Sequence, residues 1–278
     1  MPKQVSSASR VTQVLLIAVA VLAPATSAWA QPAREDRITV SYAEPTNPAH
    51  KIYRDVLVQY RALEGMRDRL ISFRWTRPLK LEVRGCDGDA DAFYDDAQIV
   101  VCYEFLAGFW KAASSSSRPP NVTRADALVG PFMDTFLHEA AHAMFDLLKI
   151  PVLGKEEDAA DLVSAYLMLQ FPAHEKRGLI LGAAYSYASE LNVRTPRDLN
   201  RPRLRFGRHA SFANEHSTPA QRLYSLLCMA YGADKELFAP VVERGYLPKD
   251  RAEMCDDEYQ QIEFAYRTLI APHQDAPP

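Results

Sequence analysis

The chain has 278 residues, and its composition, with 48% hydrophobic and 24% charged residues, is that of a globular protein without repeats. Its formal net charge is −3. Removing residues 1–30, which hold two cations and no acid, would change it from −3 to −5. This balance argues against nucleic acid or an anionic membrane surface as the main partner.

The N-terminus has the features of an export signal. Lys3 and Arg10 make a positive start, Val14–Ala23 is a short apolar run, and Ala28-Trp29-Ala30 is a small-x-small cleavage site. A membrane-spanning helix needs about 20 apolar residues, and this run is shorter. We therefore predict a signal peptide over residues 1–30 and an exported protein, periplasmic or secreted, with no stable membrane span after cleavage. Residues 31–278 would form one domain.

The pattern of apolar residues predicts an α+β, helix-rich fold. The first half, about 37–113, would contain the strands of the domain, and the second half, about 121–273, would be helical. Ser114–Pro120 predicts a flexible loop between the halves. The elements predicted before that loop are a strand at 37–42, a helix at 52–70 and strands at 79–84 and 98–103.

The chemistry is concentrated in His138-Glu139-Ala140-Ala141-His142. Two histidines four residues apart share one face of a helix and can hold one metal ion. Glu139 is rotated by about 100° from His138, toward the open side of the metal, where it can take a proton from a water molecule. Apolar residues at helical spacing continue to about Leu148, and Gly130-Pro131 predicts that this helix begins there.

A third ligand is predicted on the next helix. Gly154 allows a turn, and a second helix begins near Lys155. Glu157 lies in its first turn, so its carboxylate can return to the metal, which in catalytic zinc sites takes three protein ligands. Asp161, four residues later on the same face, can accept the remaining ring N–H of His138 or His142. Glu156 and Asp158 fit a solvated helix start.

These residues resemble a known group of enzymes. HExxH followed by Glu157-x-x-x-Asp161 resembles the gluzincin metallopeptidases, and residues 92–105, 138–168 and 214–238 resemble a family of secreted bacterial proteins described as metallopeptidases. The resemblance implies zinc, with His138, His142 and Glu157 as ligands and Glu139 as base. It also implies a zincin-like fold in which a small β-containing N-lobe lies over a helical C-lobe carrying the HExxH helix.

The segment from His216 to Arg222 resembles part of membrane-associated gluzincins in which a histidine faces the transition state and an arginine supports the site. His216 is therefore the predicted donor to the oxyanion. Pro219 stands two residues later than in that pattern. The metzincin pattern is excluded because Phe145 and Leu148 stand where it requires Gly and His.

Four cysteines in an exported chain predict two disulfides, and three pairings are possible. We choose Cys86–Cys102 and Cys228–Cys255, because each pair then lies within one lobe. A cysteine-rich zinc site is disfavoured because no pair has the spacing of two to four residues that such sites use.

The sequence thus predicts a zinc-dependent hydrolase that cleaves peptide bonds in a peptide or protein substrate. Two alternatives remain open. One is an exported zinc-binding protein without peptidase activity, such as a peptide-binding or assembly factor. The other is a cell-wall amidase with the same metal site. The oligomeric state has no signature in the sequence.

Overall fold

A small mixed sheet forms the N-terminal part of the computed structural model, which describes residues 37–115, 118–191 and 215–275. The strand order is β1-β2-β4-β3, with β1, β2 and β4 parallel and β3 antiparallel to β4. Strands β2 and β4 are central and almost continuously buried, as expected of parallel strands covered on both faces. The strands are β1 (Ile38–Tyr42), β2 (Leu79–Arg84), β3 (Ala92–Asp95) and β4 (Gln98–Cys102).

One helix that flanks the sheet differs from the prediction, and another was not predicted. The single helix predicted over 52–70 is wrong: Arg61 adopts a left-handed conformation (φ 50°) and separates α1 (Lys51–Gln59) from α2 (Ala62–Leu70). The sequence analysis assigned no element to the residues between β4 and the loop at Ser114–Pro120, and these form α3 (Tyr103–Ala113). After β1, and again after β2, the chain crosses over before it forms the neighbouring parallel strand.

The described residues after α3 are mostly helical, as predicted, and α4 lies at their centre. Helix α4 (Asp126–Leu147) packs against α5, α6, α3 and the sheet. One hydrophobic core extends from the sheet into these helices, with Phe136 and Met144 of α4 fully buried. The remaining α-helices of the described residues are α5 (Glu156–Leu169), α6 (Ala173–Glu190), α7 (Pro219–Ala233), α8 (Lys235–Glu243), α9 (Lys249–Ala252) and α10 (Cys255–Ala265).

Helix α4 begins earlier than Gly130-Pro131, so that prediction is wrong. The side chains of Thr123 and Asp126 accept hydrogen bonds from each other's main-chain N–H, which satisfies donors of the first turn. Pro131 therefore lies inside the helix. Gly130 allows α4 to approach α6 closely, because a Cβ there would lie 2.8 Å from the Cα of Gly182.

The predicted disulfides are confirmed. Cys86 bonds to Cys102, which joins the ends of the neighbouring strands β2 and β4, and Cys228 of α7 bonds to Cys255 of α10. These bonds are consistent with an exported protein. No helix in the described ranges is long and apolar enough to cross a membrane. The predicted signal peptide, residues 1–30, lies outside the described residues.

Candidate metal centre

Three side chains from α4 and α5 converge on one point. His138 Nε2 lies 3.2 Å from His142 Nε2 and 3.0 Å from Glu157 Oε2. The distance from His142 Nε2 to the same Glu157 oxygen is 3.6 Å. The two histidines meet because they lie one helical turn apart, and Glu157 reaches them because the turn at Gly154 (φ 104°) reverses the chain between the helices.

These distances fit a metal ion. Zinc binds imidazole nitrogen and carboxylate oxygen at about 2.0–2.2 Å, so the edges of a tetrahedral site are roughly 3.3 Å long. The observed separations of 3.0, 3.2 and 3.6 Å between His138, His142 and Glu157 bracket that value. The donor set of two imidazoles and one carboxylate is also the kind that catalytic zinc sites use.

The other ring nitrogen of each histidine faces a carboxylate. His138 Nδ1 lies 2.8 Å from Asp161 Oδ1, and His142 Nδ1 lies 2.8 Å from Glu156 Oε1. An ionised carboxylate only accepts, so with a metal on the Nε2 atoms each Nδ1 would carry the hydrogen that Asp161 or Glu156 accepts. The contact of Asp161 is the one that we expected. Glu156 is a solvated residue of the first helical turn, as predicted, with its side chain 56% exposed, and it contacts His142 in addition.

The electrostatics of the site favour a cation. Burial alone would lower the pKa of His138, but its hydrogen bonds to Asp161 and Glu157 outweigh burial and raise the pKa to about 9. The hydrogen bond with His138 lowers the pKa of Glu157 to about 2, against the effect of its partial burial. The carboxylates therefore stay ionised and hold positive charge between α4 and α5.

Glu139 lies beside the ligands and is 7% exposed. Burial raises its pKa to about 7, and the charges of His138, His142 and Glu157 act on it, so its carboxylate belongs to the same site. The main chain of Tyr94 in β3 opposes burial and lowers the pKa of Glu139. Tyr94 also donates its hydroxyl to Asp146 near the end of α4, at 2.6 Å. Strand β3, which the sequence analysis missed, thus lies alongside the metal-site helix.

His216 comes from the segment just before α7 and also reaches the site. Its Nε2 lies 2.7 Å from Glu157 Oε2, and its ring stacks on that of His138 at 6.0 Å between centroids. One ligand atom each of His138, Glu157 and His216 lie within 4.8 Å of one another, so His216 is itself a candidate ligand. It is 49% exposed, whereas His142 is 13% exposed. The position of His216 beside Glu157 and His138 supports the prediction that it belongs to the centre.

Arg222, at the end of the predicted segment that begins at His216, supports Asp161. Its Nε and Nη2 atoms donate to the two oxygens of Asp161 at 2.8 and 2.5 Å. Burial would raise the pKa of Asp161, but the hydrogen bonds from His138 and Arg222 keep it below the usual range. A chain of contacts therefore runs from Arg222 through Asp161 to His138.

A buried acid continues this network, and the sequence analysis missed it. Asp134 is 6% exposed and accepts hydrogen bonds from Tyr187 at 2.6 Å and Ser164 at 3.0 Å. The guanidinium of Arg222 lies over the Tyr187 ring, 4.8 Å from its centroid. The sequence did contain a signal for this contact: Asp134 lies one turn before His138 in an otherwise apolar stretch of helix. An unpaired buried carboxylate is costly, so an acid at such a position indicates a buried partner.

Comparison with known proteins agrees with this geometry. Residues 42–270 match the sequence model of one family, DUF4344, whose description is "Putative metallopeptidase". The match includes all the residues of the centre, from α4 to α7. No curated protein sequence and no solved structure matches the chain.

Proposed function

Since the chain belongs to the DUF4344 family of metallopeptidases, we propose that it is a zinc-dependent, gluzincin-like peptidase with His138, His142 and Glu157 as metal ligands. The observation that carries the proposal is the convergence of the three ligand atoms within 3.0–3.6 Å. The neighbouring Glu139 argues for catalysis rather than structural binding, because a purely structural site does not need a base. Structural zinc sites also use four protein ligands, and this centre would have four only if His216 bound the metal as well.

The chain's own residues would carry the proton transfers. Zinc, when bound, would polarise the substrate carbonyl and make water easier to deprotonate. Glu139 would take the proton from that water and pass it to the leaving amine. The Glu139 carboxylate is held beside the ligands by its place on α4, next to His138. Burial excludes competing solvent from it and strengthens its electrostatic interaction with the site.

The position of β3 favours an extended peptide as the substrate. β3 is the last strand in the sheet order and pairs only with β4 among the described residues. Because Cys102 N–H of β4 donates to the main-chain oxygen of Asp91, alternation along the antiparallel strand turns the main-chain groups of Ala92 and Tyr94 away from β4, to the open edge. A substrate strand could add to this edge by main-chain hydrogen bonds, which would place its scissile carbonyl near the metal.

His216 and Arg222 would have different tasks. We assign His216 the donation of a hydrogen bond to the oxyanion of the tetrahedral intermediate, because its Nε2 lies against Glu157 on an exposed side of the centre. Arg222 would act through Asp161, keeping His138 oriented. The sequence signals at Lys3, Arg10 and Ala28–Ala30, together with the two disulfides, support a periplasmic or secreted location.

Metal analysis of the purified protein tests the proposal. We expect one zinc per chain in the wild type and none in a His138→Ala/His142→Ala double variant. Glu139→Gln is the matched control: it lies between the two ligands and should retain one zinc per chain. Full zinc occupancy in the double variant would contradict the ligand assignment, and loss of zinc from Glu139→Gln would contradict the role of that residue as a base.

A further inference from the structure

A cavity of about 700 Å³ lies away from the metal centre, between α3, α6, α7 and α8. Its apolar wall includes Leu223 and Leu227 of α7 and Phe238 and Val241 of α8. None of the metal-site residues lines it. Ligand pockets commonly fall between about 300 and 1,000 Å³ and combine an apolar lining with a few polar groups, so the cavity has the size of a small-molecule site.

The charged groups among the described lining residues of the cavity are all positive. Lys111, Arg177 and Arg244 are among its 22 described lining residues, and those residues include no Asp or Glu. The chain has 35 acidic residues in 278, so a random set of that size would contain about three. No ion pair joins any of these three cations to another described residue, whereas Lys176, next to Arg177, pairs with Asp234 at 3.0 Å.

An apolar wall beside three cations that pair with no described acid points to one chemical class. We propose that the cavity binds a free, single-chain anionic amphiphile of the fatty-acid class. The alkyl chain would lie against Leu223, Leu227 and Phe238, where its burial is favourable in proportion to area. The carboxylate would lie beside the Lys111, Arg177 and Arg244 side chains. A concave site of this size suits a molecule taken up singly, whereas a bilayer surface would need an exposed, protruding patch.

This inference is independent of the proposed peptidase activity. Helices α6 and α7 contribute to both sites through different side chains: Ala188 and Leu223 line the cavity, whereas Tyr187 and Arg222 contact each other toward the metal centre. Binding can therefore be measured on metal-free protein and on Glu139→Gln. A failure of amphiphile binding would leave the peptidase proposal intact, and the reverse also holds.

Isothermal titration of the full mature chain with decanoate, acetate and 1-decanol tests the proposal. We expect decanoate to bind one per chain and about tenfold or more tighter than either control, because only decanoate has both the chain and the charge. Each of Lys111→Gln, Arg177→Gln and Arg244→Gln should weaken decanoate binding by about threefold or more. Lys176→Gln, the matched control, should leave it unchanged. Ala188→Phe should fill the cavity and abolish binding.

Three results would overturn the inference. The first is equal binding of decanoate and 1-decanol, which would remove the role of the cations. The second is equal loss of affinity in Arg177→Gln and Lys176→Gln, which would indicate a diffuse charge effect. The third is co-sedimentation with vesicles of anionic phospholipid in the absence of any decanoate binding, which would assign the cations to a membrane surface.

Discussion

Each proposed histidine ligand of the zinc contacts one carboxylate at the same distance, but the two carboxylates differ in burial. This difference allows a quantitative prediction. Asp161 and Glu156 each lie 2.8 Å from the Nδ1 atom of a histidine. The side chain of Asp161 is 16% exposed and also binds Arg222 through both oxygens, whereas that of Glu156 is 56% exposed. We therefore expect Asp161→Asn to lower zinc affinity much more than Glu156→Gln.

The magnitudes follow from solvent screening. Removal of a carboxylate that orients a metal-bound histidine typically costs 10- to 100-fold in affinity, or about 1.4–2.7 kcal/mol. An amide at 161 has one acceptor oxygen, so it cannot serve both His138 and Arg222 as the carboxylate does. Exposed charge contacts contribute only about 0.5 kcal/mol, so Glu156→Gln should lower affinity by roughly twofold. Its amide oxygen can still accept the His142 N–H.

Competition with a chromophoric zinc chelator at fixed pH and ionic strength would measure both affinities. Thermal melting of the metal-free variants is the control, because Asp161→Asn also leaves Arg222 without its partner, at a cost of about 1–3 kcal/mol. Affinities that fall by the same factor in both variants would refute the argument that burial of Asp161 sets the strength of its support. No effect of Asp161→Asn would refute its contact with His138 in the metal-bound protein.

Three further predictions concern stability and the role of His216. Replacing both Cys228 and Cys255 by Ser removes a disulfide that spans 27 residues and contributes about 3.5 kcal/mol to stability in the chain-entropy model. The double variant should therefore have a Tm lower by about 7–14 °C. An unchanged Tm would contradict this prediction. Gly182→Ala would place a Cβ 1.9 Å from the main-chain oxygen of Asp126, the first residue of α4, so it should lower the free energy of unfolding by about 2 kcal/mol or more. Gly65→Ala, the control with open space around it, should raise that free energy by about 0.5–1 kcal/mol. Equal melting curves for the two variants would refute the close packing of α4 on α6. His216→Ala should keep one zinc per chain and lower turnover about a hundredfold; loss of zinc would make His216 a ligand instead.

The parts of the site that depend on local sequence were predictable. Helical periodicity places His138 and His142 on one face, and a glycine between two apolar helices indicates the turn that returns Glu157 to them. The same local reasoning gave the two disulfides, because each pair of cysteines is close in sequence. The α+β class also followed from local patterns, since β4 is a buried apolar run and apolar residues alternate with charged ones along β2.

The parts that depend on tertiary contacts were not predictable. Pro131 resembles a helix start, but the reciprocal hydrogen bonds of Thr123 and Asp126 and the packing of α4 on α6 extend the helix before it. Strand β3 has only four residues, too few for a clear alternation, and its strand conformation comes from pairing with β4. The contact of Tyr187 with Asp134 joins residues 53 positions apart, and no local pattern specifies it.

The central claim is that this chain cleaves peptide bonds with Glu139 as the base. Digestion of a broad peptide library by zinc-loaded wild type and zinc-loaded Glu139→Gln, at equal zinc content, tests it most directly. We expect the wild type to cut, a chelator to abolish cutting, and Glu139→Gln to be slower by about two to four decades. Equal cutting by the two proteins, or no cutting by zinc-loaded wild type, would contradict the account.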